Sequence, residues 1–383
     1  MNKSIVALVR CESYEEDLVC ESVKKGIDLL GGIKKFVQPG EKIVMKPNVL
    51  VAVDPNRSVT THPTVLKAVG KILKDAGAVV SYGDSAAIGG CVFNMRRSGL
   101  KLVGDELGLA IADFDHGTEV SHKTSLLNKK MLIANGILEA DGVISLPKLK
   151  THGLTRFTGA VKNQFGCIPG MHKREFHFKM PDPYQFATML VDINTFVKPR
   201  LFVMDGIMAM EGNGPFSGKS RRMNVLLFST DPVAQDSIAC KMIDLDPEFV
   251  PTSKPGEKSG LGTYHYENID LLGDDLKSFT VKDFDVVRQP PEPATTGRIR
   301  KFIKNQLTPR PVIDQAKCIQ CGTCLKMCPI GPEALGWTTD KESKKKARHY
   351  YNNCIRCYCC QETCPEGAIT IRTPLLGRLL FRR

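Results

Sequence analysis

Nine of the chain's fourteen cysteines fall between residues 318 and 364, and eight of the nine repeat one spacing. Residues 318–329 read CIQCGTCLKMCP and residues 354–365 read CIRCYCCQETCP, so each run is C-x2-C-x2-C-x3-C-P. Thiols at i, i+3 and i+6 suit a tight loop wrapped around three corners of an iron–sulfur cubane. The fourth leaves along the next turn to reach a second cluster. The expected ligands are Cys318, Cys321, Cys324 and Cys364 for one [4Fe-4S] cluster and Cys354, Cys357, Cys360 and Cys328 for the other. Zinc or a disulfide framework is the competing reading of C-x2-C pairs, but neither needs four cysteines in this order or the proline after them. Cys359 is left over and reads as a thiol beside a cluster or exposed to solvent. Clustered cysteines, with Cys11, Cys20, Cys91, Cys167 and Cys240 scattered singly, point to metal in a reducing, cytoplasmic compartment.

Over residues 310–372 the chain resembles the two-cluster bacterial ferredoxins. The resemblance implies crossed ligation, with the clusters close enough for electrons to tunnel between them: a two-site wire. Each oxidised cubane with its four thiolates carries about two negative charges. The formal net charge of +12 would fall accordingly, and nearby Lys and Arg would raise the reduction potentials relative to an acidic ferredoxin.

A second group of reactive side chains recurs just after short apolar runs. Lys46 and Asn48 follow KIVM, Asp84 and Ser85 follow AVVSYG, and Lys148, Lys150 and His152 follow VISLP. Asp205 follows LFVM and Asp231 follows LLFST. Open α/β sheets bind ligands beyond the carboxyl ends of their strands, so these residues are candidates for one cleft facing the cysteine-rich module. In PKLKTH the two-residue spacing puts Lys148, Lys150 and His152 on one face of an extended backbone. Three potential cations on one face want an anion.

The segments MKPNVL, TTHP, PKLKTHG, TGAVKNQFGCIPG, DGIMAMEGNGP and STDPVAQDSIACKMIDLDP resemble the motifs of the family called domain of unknown function 362, often fused to ferredoxin domains. The likeness covers about residues 40–250 and implies an α/β core, but supplies no reaction. Its matching positions are Lys46, Asn48, Lys148, Lys150, His152, Lys162, Asn163, Asp205, Glu211, Asn213 and Asp231. Of these, His152, Lys162 and Asp205 are the candidate proton-handling residues. Lys46, Asn48, Lys148, Lys150, Asn163, Glu211 and Asn213 are candidates for holding substrate.

Plainer roles compete at several positions. Asn48, Thr61 and Asp231 read as helix or turn caps, and His62 as a capping or packing residue. Lys148 and Lys150 read as a solvated strand edge, His172 and His177 as a mobile basic loop or lid, and Cys167 as an inert buried thiol. NGPFSGKS approaches a phosphate loop, but Asn213 stands where the first glycine is required and a strand follows, so ATP binding there is rejected.

The elements that must position these groups alternate strand and helix. Strands are expected at 4–9, 42–48, 78–84, 141–147, 200–206 and 223–230, and a helix opens at Thr61-His62-Pro63 with Thr61 capping. Runs such as VLLF imply strands buried on both faces, hence a layered α/β domain with a largely parallel sheet. VVRQPPEPATTG has three prolines and no periodicity, as in a linker or a strap on a surface. The expected division is an α/β domain over 1–285, a linker with a basic amphipathic segment over 286–310, a small α+β ferredoxin-like two-cluster domain over 311–373 and a basic apolar tail over 374–383. Lys341 to Arg348 reads as a solvated hairpin between the cysteine runs.

Charge is uneven. Residues 1–294 carry 36 Lys and Arg against 35 Asp and Glu, while residues 295–383 carry 17 against 6. A neutral body with a small basic module argues against a nucleic-acid-coating protein. RIRKFIKNQL and PLLGRLLFRR mix basic and apolar residues, as in segments that lie on an anionic membrane or meet an acidic partner, although both could pack on the protein instead. No run of 18 apolar residues exists, and the N-terminal residues read as a strand rather than a signal peptide. The leading expectation is a cytoplasmic reductase, peripheral at the inner membrane face if the basic segments bind there. It takes electrons from a redox partner protein and passes them to an anionic small molecule or a further organic cofactor. The alternative is a non-catalytic electron carrier or cofactor-assembly protein whose α/β domain is a docking module. An isomerase or transferase with structural clusters is the weaker third.

Overall fold

The computed structural model describes residues 3–170, 172–294, 304–339 and 345–380. The large unit contains β1 (Ser4–Arg10), β2 (Lys42–Pro47), β3 (Val79–Tyr82), β4 (Ala110–Ile111), β5 (Gly117–Ser121) and β6 (Lys130–Ala134). It continues with β7 (Gly142–Leu146), β8 (Lys148–His152), β9 (Arg156–Thr158), β10 (Leu201–Glu211), β11 (Lys219–Ser229) and β12 (Ile269–Gly273). The small unit adds β13 (Arg310–Ile313), β14 (Leu335–Thr339), β15 (Lys345–His349) and β16 (Ile369–Arg372).

One sheet runs in the order β12-β1-β11-β10-β7-β2-β3-β4, with β8 pairing to β10 and β9 to β8. The pairs of β10, β7, β2, β3 and β4 are parallel, as is that of β1 with β12. β11 runs against both of its neighbours. The consecutive apolar run Val225–Phe228 shows why this sheet must be layered. Leu226 and Phe228 enter one core, while Val225 and Leu227 enter the other on the opposite face. Alternate residues of β1 and β10 divide in the same way. At Gly26, in the helix Glu16–Leu29, a methyl group would run into the Phe228 ring, so the missing Cβ lets that helix lie close on the sheet.

The helix expected at residue 61 spans Pro63–Asp75, but its cap is His62, whose ring accepts from the Thr64 N–H. Thr61 is occupied elsewhere: its hydroxyl donates to the Leu146 carbonyl and accepts from the Asn48 N–H. Residues 172–179 form a helix rather than a mobile loop, because Lys173 and His177 are buried by it. Asp231 caps the helix Pro232–Met242, accepting from the Val233 and Ala234 N–H groups.

β10 and β11 are each longer than the apolar runs that signal them. Beyond a register shift between Gly206 and Met208 they continue as a hairpin to Glu211 paired with Lys219. Its tip reaches the small unit: Asn213 donates to the Ile369 carbonyl, and Gln361 donates to Asn213 Oδ1 and to the Asn213 and Gly214 carbonyls. Residues 286–294 lie along the large unit. Arg156 holds the carbonyls of Gln289 and Pro290, and Tyr184 that of Pro291.

In the small unit β13 pairs with β16, placing Arg310 opposite Arg372, and β14 pairs with β15. Short helices at Thr323–Met327 and Cys359–Glu362 complete an α+β unit. Residues 298–303 of the expected amphipathic segment, 341–344 of the charge run and 381–383 of the tail lie outside the described residues. Among the described residues no helix is long and apolar enough to cross a membrane.

Candidate functional site

The two cysteine runs fold alike. Gln320 and Arg356, at equivalent places, have φ of 58° and 65°, and Gly322 and Tyr358 have φ of 74° and 64°. These left-handed turns curl each loop around its thiols. For Tyr358 the conformation costs on the order of 1 kcal/mol, offset by burial: its ring packs beside Gly153 and its hydroxyl donates to the Pro309 carbonyl. Cys318, Cys321, Cys324 and Cys364 line one cavity with Ile313, Trp337 and Ile369. Cys328, Cys354, Cys357 and Cys360 line another with Pro311, Leu335 and Tyr358. Among the described residues no three His, Cys, Asp or Glu side chains converge as a single-ion site requires. Four thiols around each of two cavities are the donor set that a pair of cubanes needs.

A cleft of about 90 Å3 lies between the large unit and this module. The large unit contributes Asn48, Asp84, Lys150, Thr158, Lys162, Asn163, Lys173 and His177 to it, and the module contributes Met327, Cys359, Glu362 and Thr363. Lys46 is fully buried behind this lining. Its ammonium is 2.7 Å from Asp84 Oδ1 and donates at 3.4 Å to Asn163 Oδ1. Asn48 also donates to Asn163 Oδ1, at 3.1 Å, and Asn163 donates in turn to Ser145 Oγ and the Lys46 carbonyl. One polar network thus ties Asn163 to β2, to β7 and to Asp84 beyond β3.

Lys150 donates to the Val59 carbonyl at 2.7 Å, and Lys173 donates to the Ser85 carbonyl and hydroxyl. Lys162 lies 5.7 Å above the Phe165 ring. Burial, then the charges of Lys162 and Lys148, hold the Lys150 ammonium well below its ordinary range. Burial lowers Lys162 and brings Lys173 down to about 7.

β8 does place its three alternate residues on one side, but they serve different sites. Lys150 alone faces the cleft. Lys148 is sealed against Asp205 at 2.7 Å and Tyr14 at 2.8 Å, so neither it nor Asp205 lines the cleft. Lys148 and Lys150 are each about 1% exposed, which rules out a solvated edge. His152 points at the module: its Nδ1 accepts from the Leu154 and Thr155 N–H groups, so Nε2 carries the proton, 3.0 Å from Glu362 Oε1. Glu211 accepts from the Asp285 N–H, and Asn213 is engaged with the module, so neither reaches the cleft. Cys167 is fully buried, and its thiol is pushed up to about 12 by that burial.

Some cleft residues were not assigned to a cleft from the sequence. Glu362 and Cys359 are hidden inside a cysteine run, Lys173 in a stretch that reads as a basic loop, and Thr158 in a three-residue strand.

His177 stacks on Phe186 with ring centroids 4.5 Å apart, and burial lowers its pKa from 6.5 to about 4. The unfolded chain therefore takes a proton at higher pH than the folded one. The stability that His177 contributes is complete above about pH 6.5 and is lost as pH falls toward 4. We expect His177→Phe to flatten the acid limb of stability by on the order of 2 kcal/mol between pH 7 and 4, read from urea denaturation at several pH values. An unchanged slope would mean that the imidazole is already protonated in the fold.

The two cysteine cavities and the cleft beside them define an iron–sulfur electron-transfer protein. A 4Fe-4S dicluster domain profile matches residues 307–368, and the chain carries two [4Fe-4S] clusters. The chain belongs to the family described as domain of unknown function (DUF362), whose profile matches residues 43–241. It is 35% identical over 257 residues to a thylakoid-associated protein of Synechocystis, covering 67% of this chain and 79% of that one. An uncharacterized ferredoxin of Methanocaldococcus jannaschii is 41% identical over 61 residues, covering 16% of this chain and 75% of that protein. Among solved structures, the lactate racemase apoprotein of Thermoanaerobacterium thermosaccharolyticum aligns with a TM-score of 0.39 and 16% identity. That alignment covers 62% of this chain and 56% of the racemase.

Proposed function

We propose that this protein is a reductase in which the two clusters pass electrons to a small anionic molecule held in the cleft. The observation that carries the reading is the position of Cys359. It follows Cys357 and precedes Cys360, which line the second cysteine cavity, yet it lines the same cleft as Lys150 and Lys162. Bound as assigned, Cys318, Cys321, Cys324 and Cys364 hold the outer cluster, where Cys321 is exposed, and Cys328, Cys354, Cys357 and Cys360 hold the inner one. The clusters supply single electrons, drawn from a redox partner protein at the exposed end. Lys150, Lys162 and Lys173 bind the anion, Asn48 and Asn163 orient it, and Lys46 with Asp84 fixes those amides from behind. Lys162 and Lys173 are placed to give up protons as electrons arrive, one proton for each electron added. His152 and Asn213 position the module instead, and Asp205 with Lys148 supports the fold. The proposed division is residues 1–285 for binding, 286–310 as the strap, 311–373 as the cluster module and 374–383 as the tail.

The docking alternative draws on the same geometry, because His152, Asn213 and Arg174 all spend their polar groups on the module. One experiment separates the two. Small molecules released by denaturing anaerobically purified protein are identified by mass spectrometry and then offered to reduced wild type and Lys162→Met. The reductase reading expects an anion that reoxidises the wild-type clusters and does so at least tenfold more slowly in the variant, a loss of about 1.4 kcal/mol in transition-state stabilisation. Equal rates, or no reoxidation by any released anion, would leave the carrier reading in its place.

A peripheral membrane contact is also proposed for the tail. The helix Leu375–Leu380 leaves Leu375, Leu376 and Leu379 exposed by 77%, 51% and 68%, beside an exposed Arg378. A thylakoid association in the name of the Synechocystis relative is in keeping with this. Deleting residues 374–383 is expected to weaken sedimentation with anionic vesicles at low salt and to leave the weak binding at high salt unchanged. Intact protein that ignores such vesicles would remove the idea.

A further inference from the structure

We infer that the molecule held in the cleft is a small organic dianion, rather than a monoanion or a neutral acceptor; the inference rests on the cleft being the ligand site of the proposed reductase. It follows from which charges in the cleft already have partners. Lys46 is matched by Asp84. Lys150, Lys162 and Lys173 have no carboxylate within ion-pair distance among the described residues. The remaining carboxylate of the cleft, Glu362, lies 3.0 Å from His152 Nε2 rather than beside a lysine. Three lysines of the cleft are thus left for a ligand to pair, more than one charged group can satisfy.

Ammonium groups out of water are costly unless paired, and each offers three donors of which carbonyls and hydroxyls take only some. Like charge adds to burial in lowering Lys150, so the crowding is already felt without ligand. A monoanion has one charged group to share among three lysines. A dianion gives all three lysines an ionic acceptor. The cleft sets two further limits. At about 90 Å3, and walled by Val49, Leu50, Phe165, Pro215 and Met327, it admits a short carbon skeleton rather than a nucleotide. Asn48 Oδ1, Thr158 Oγ1 and His177 Nδ1 line it, are buried, and have no hydrogen-bond partner. Three orphaned polar atoms beside three under-paired lysines describe a site built for a polar occupant. They favour a dianion that also carries a hydroxyl or similar donor.

The charge assignment is tested with two pairs of probes of nearly equal size, titrated calorimetrically into the anaerobic protein with both clusters bound. Succinate is compared with its half-amide succinamate, and sulfate with methanesulfonate. We expect the dianion of at least one pair to bind about tenfold or more tightly than its monoanion, with a preference that shrinks as salt is raised. The succinate pair reports a dicarboxylate, and the sulfate pair a phosphate-like group. Lys162→Met, at a partly exposed position, should erase the preference while the cluster absorbance stays intact, and Lys150→Met should do the same if it folds. Equal binding within both pairs overturns the dianion assignment and leaves the reductase reading standing. A cleft that takes none of the four anions, with Lys162→Met changing nothing, overturns both.

Discussion

Cys364→Ala is expected to halve the iron of the anaerobic protein, from about eight to about four atoms per chain, and to remove the cluster of the other cysteine run rather than its own. The crossing makes this prediction sharp. Cys364 belongs by sequence to the run that starts at Cys354, but it lines the cavity of Cys318, Cys321 and Cys324. Cys328 makes the reverse exchange. Iron and sulfide analysis gives the count, and electron paramagnetic resonance of the reduced protein shows which signal survives. Cys364→Ala should retain the cluster nearer the cleft, and Cys328→Ala the outer one. Retention of all eight irons by either variant, or zinc in the anaerobic wild type, would refute the assignment.

The second large effect is on stability. Asp205 is fully buried and accepts four hydrogen bonds, from Lys148 at 2.7 Å, the Tyr14 hydroxyl at 2.9 Å, the His62 N–H at 3.0 Å and the Ile207 N–H at 3.3 Å. Asp205→Asn keeps the shape but leaves the Lys148 ammonium buried without its counter-charge. Breaking a buried pair in this way costs about 3–5 kcal/mol. Urea denaturation should show a loss of that size while the cluster potentials stay put. A change below about 1 kcal/mol would mean that Lys148 is neutral in the fold, the ion pair then being absent rather than dominant.

Asp205 also shows where sequence reasoning succeeds and where it stops. Its place at the carboxyl end of an apolar run is visible in LFVMDG, and so is its proximity to Lys148, because both follow apolar runs that pair side by side in one sheet. What a run cannot reveal is its neighbour from a distant loop: Tyr14, 191 positions away, turns the pair from a site into a buried support. The strand cores were legible for the same reason that the cysteine loops were, since periodicity and spacing are local properties of the chain. The hairpin extension of β10 and β11 was not. Residues 208–222 mix charged and apolar types, and their pairing is set by the register of the two strands together. The cleft was half legible. Lys46, Asn48 and Lys150 gather as their positions after strands suggest and Lys162 and Asn163 as the family motif suggests, whereas Glu362 and Cys359 arrive from a module whose docking face has no pattern of its own.

That hairpin has a consequence for kinetics. A tethered electron carrier must swing between donor and acceptor, and solvent friction slows such swings, which take microseconds to milliseconds. Here Asn213 and Gly214, at the end of two strands rooted in the central sheet, grip Gln361, next to Cys360, while His152 meets Glu362. The inner thiols are therefore held at a fixed reach from Lys150 and Lys162. Thickening the solution with glycerol or sucrose should slow the encounter with an external donor and leave the internal electron transfer at its original rate.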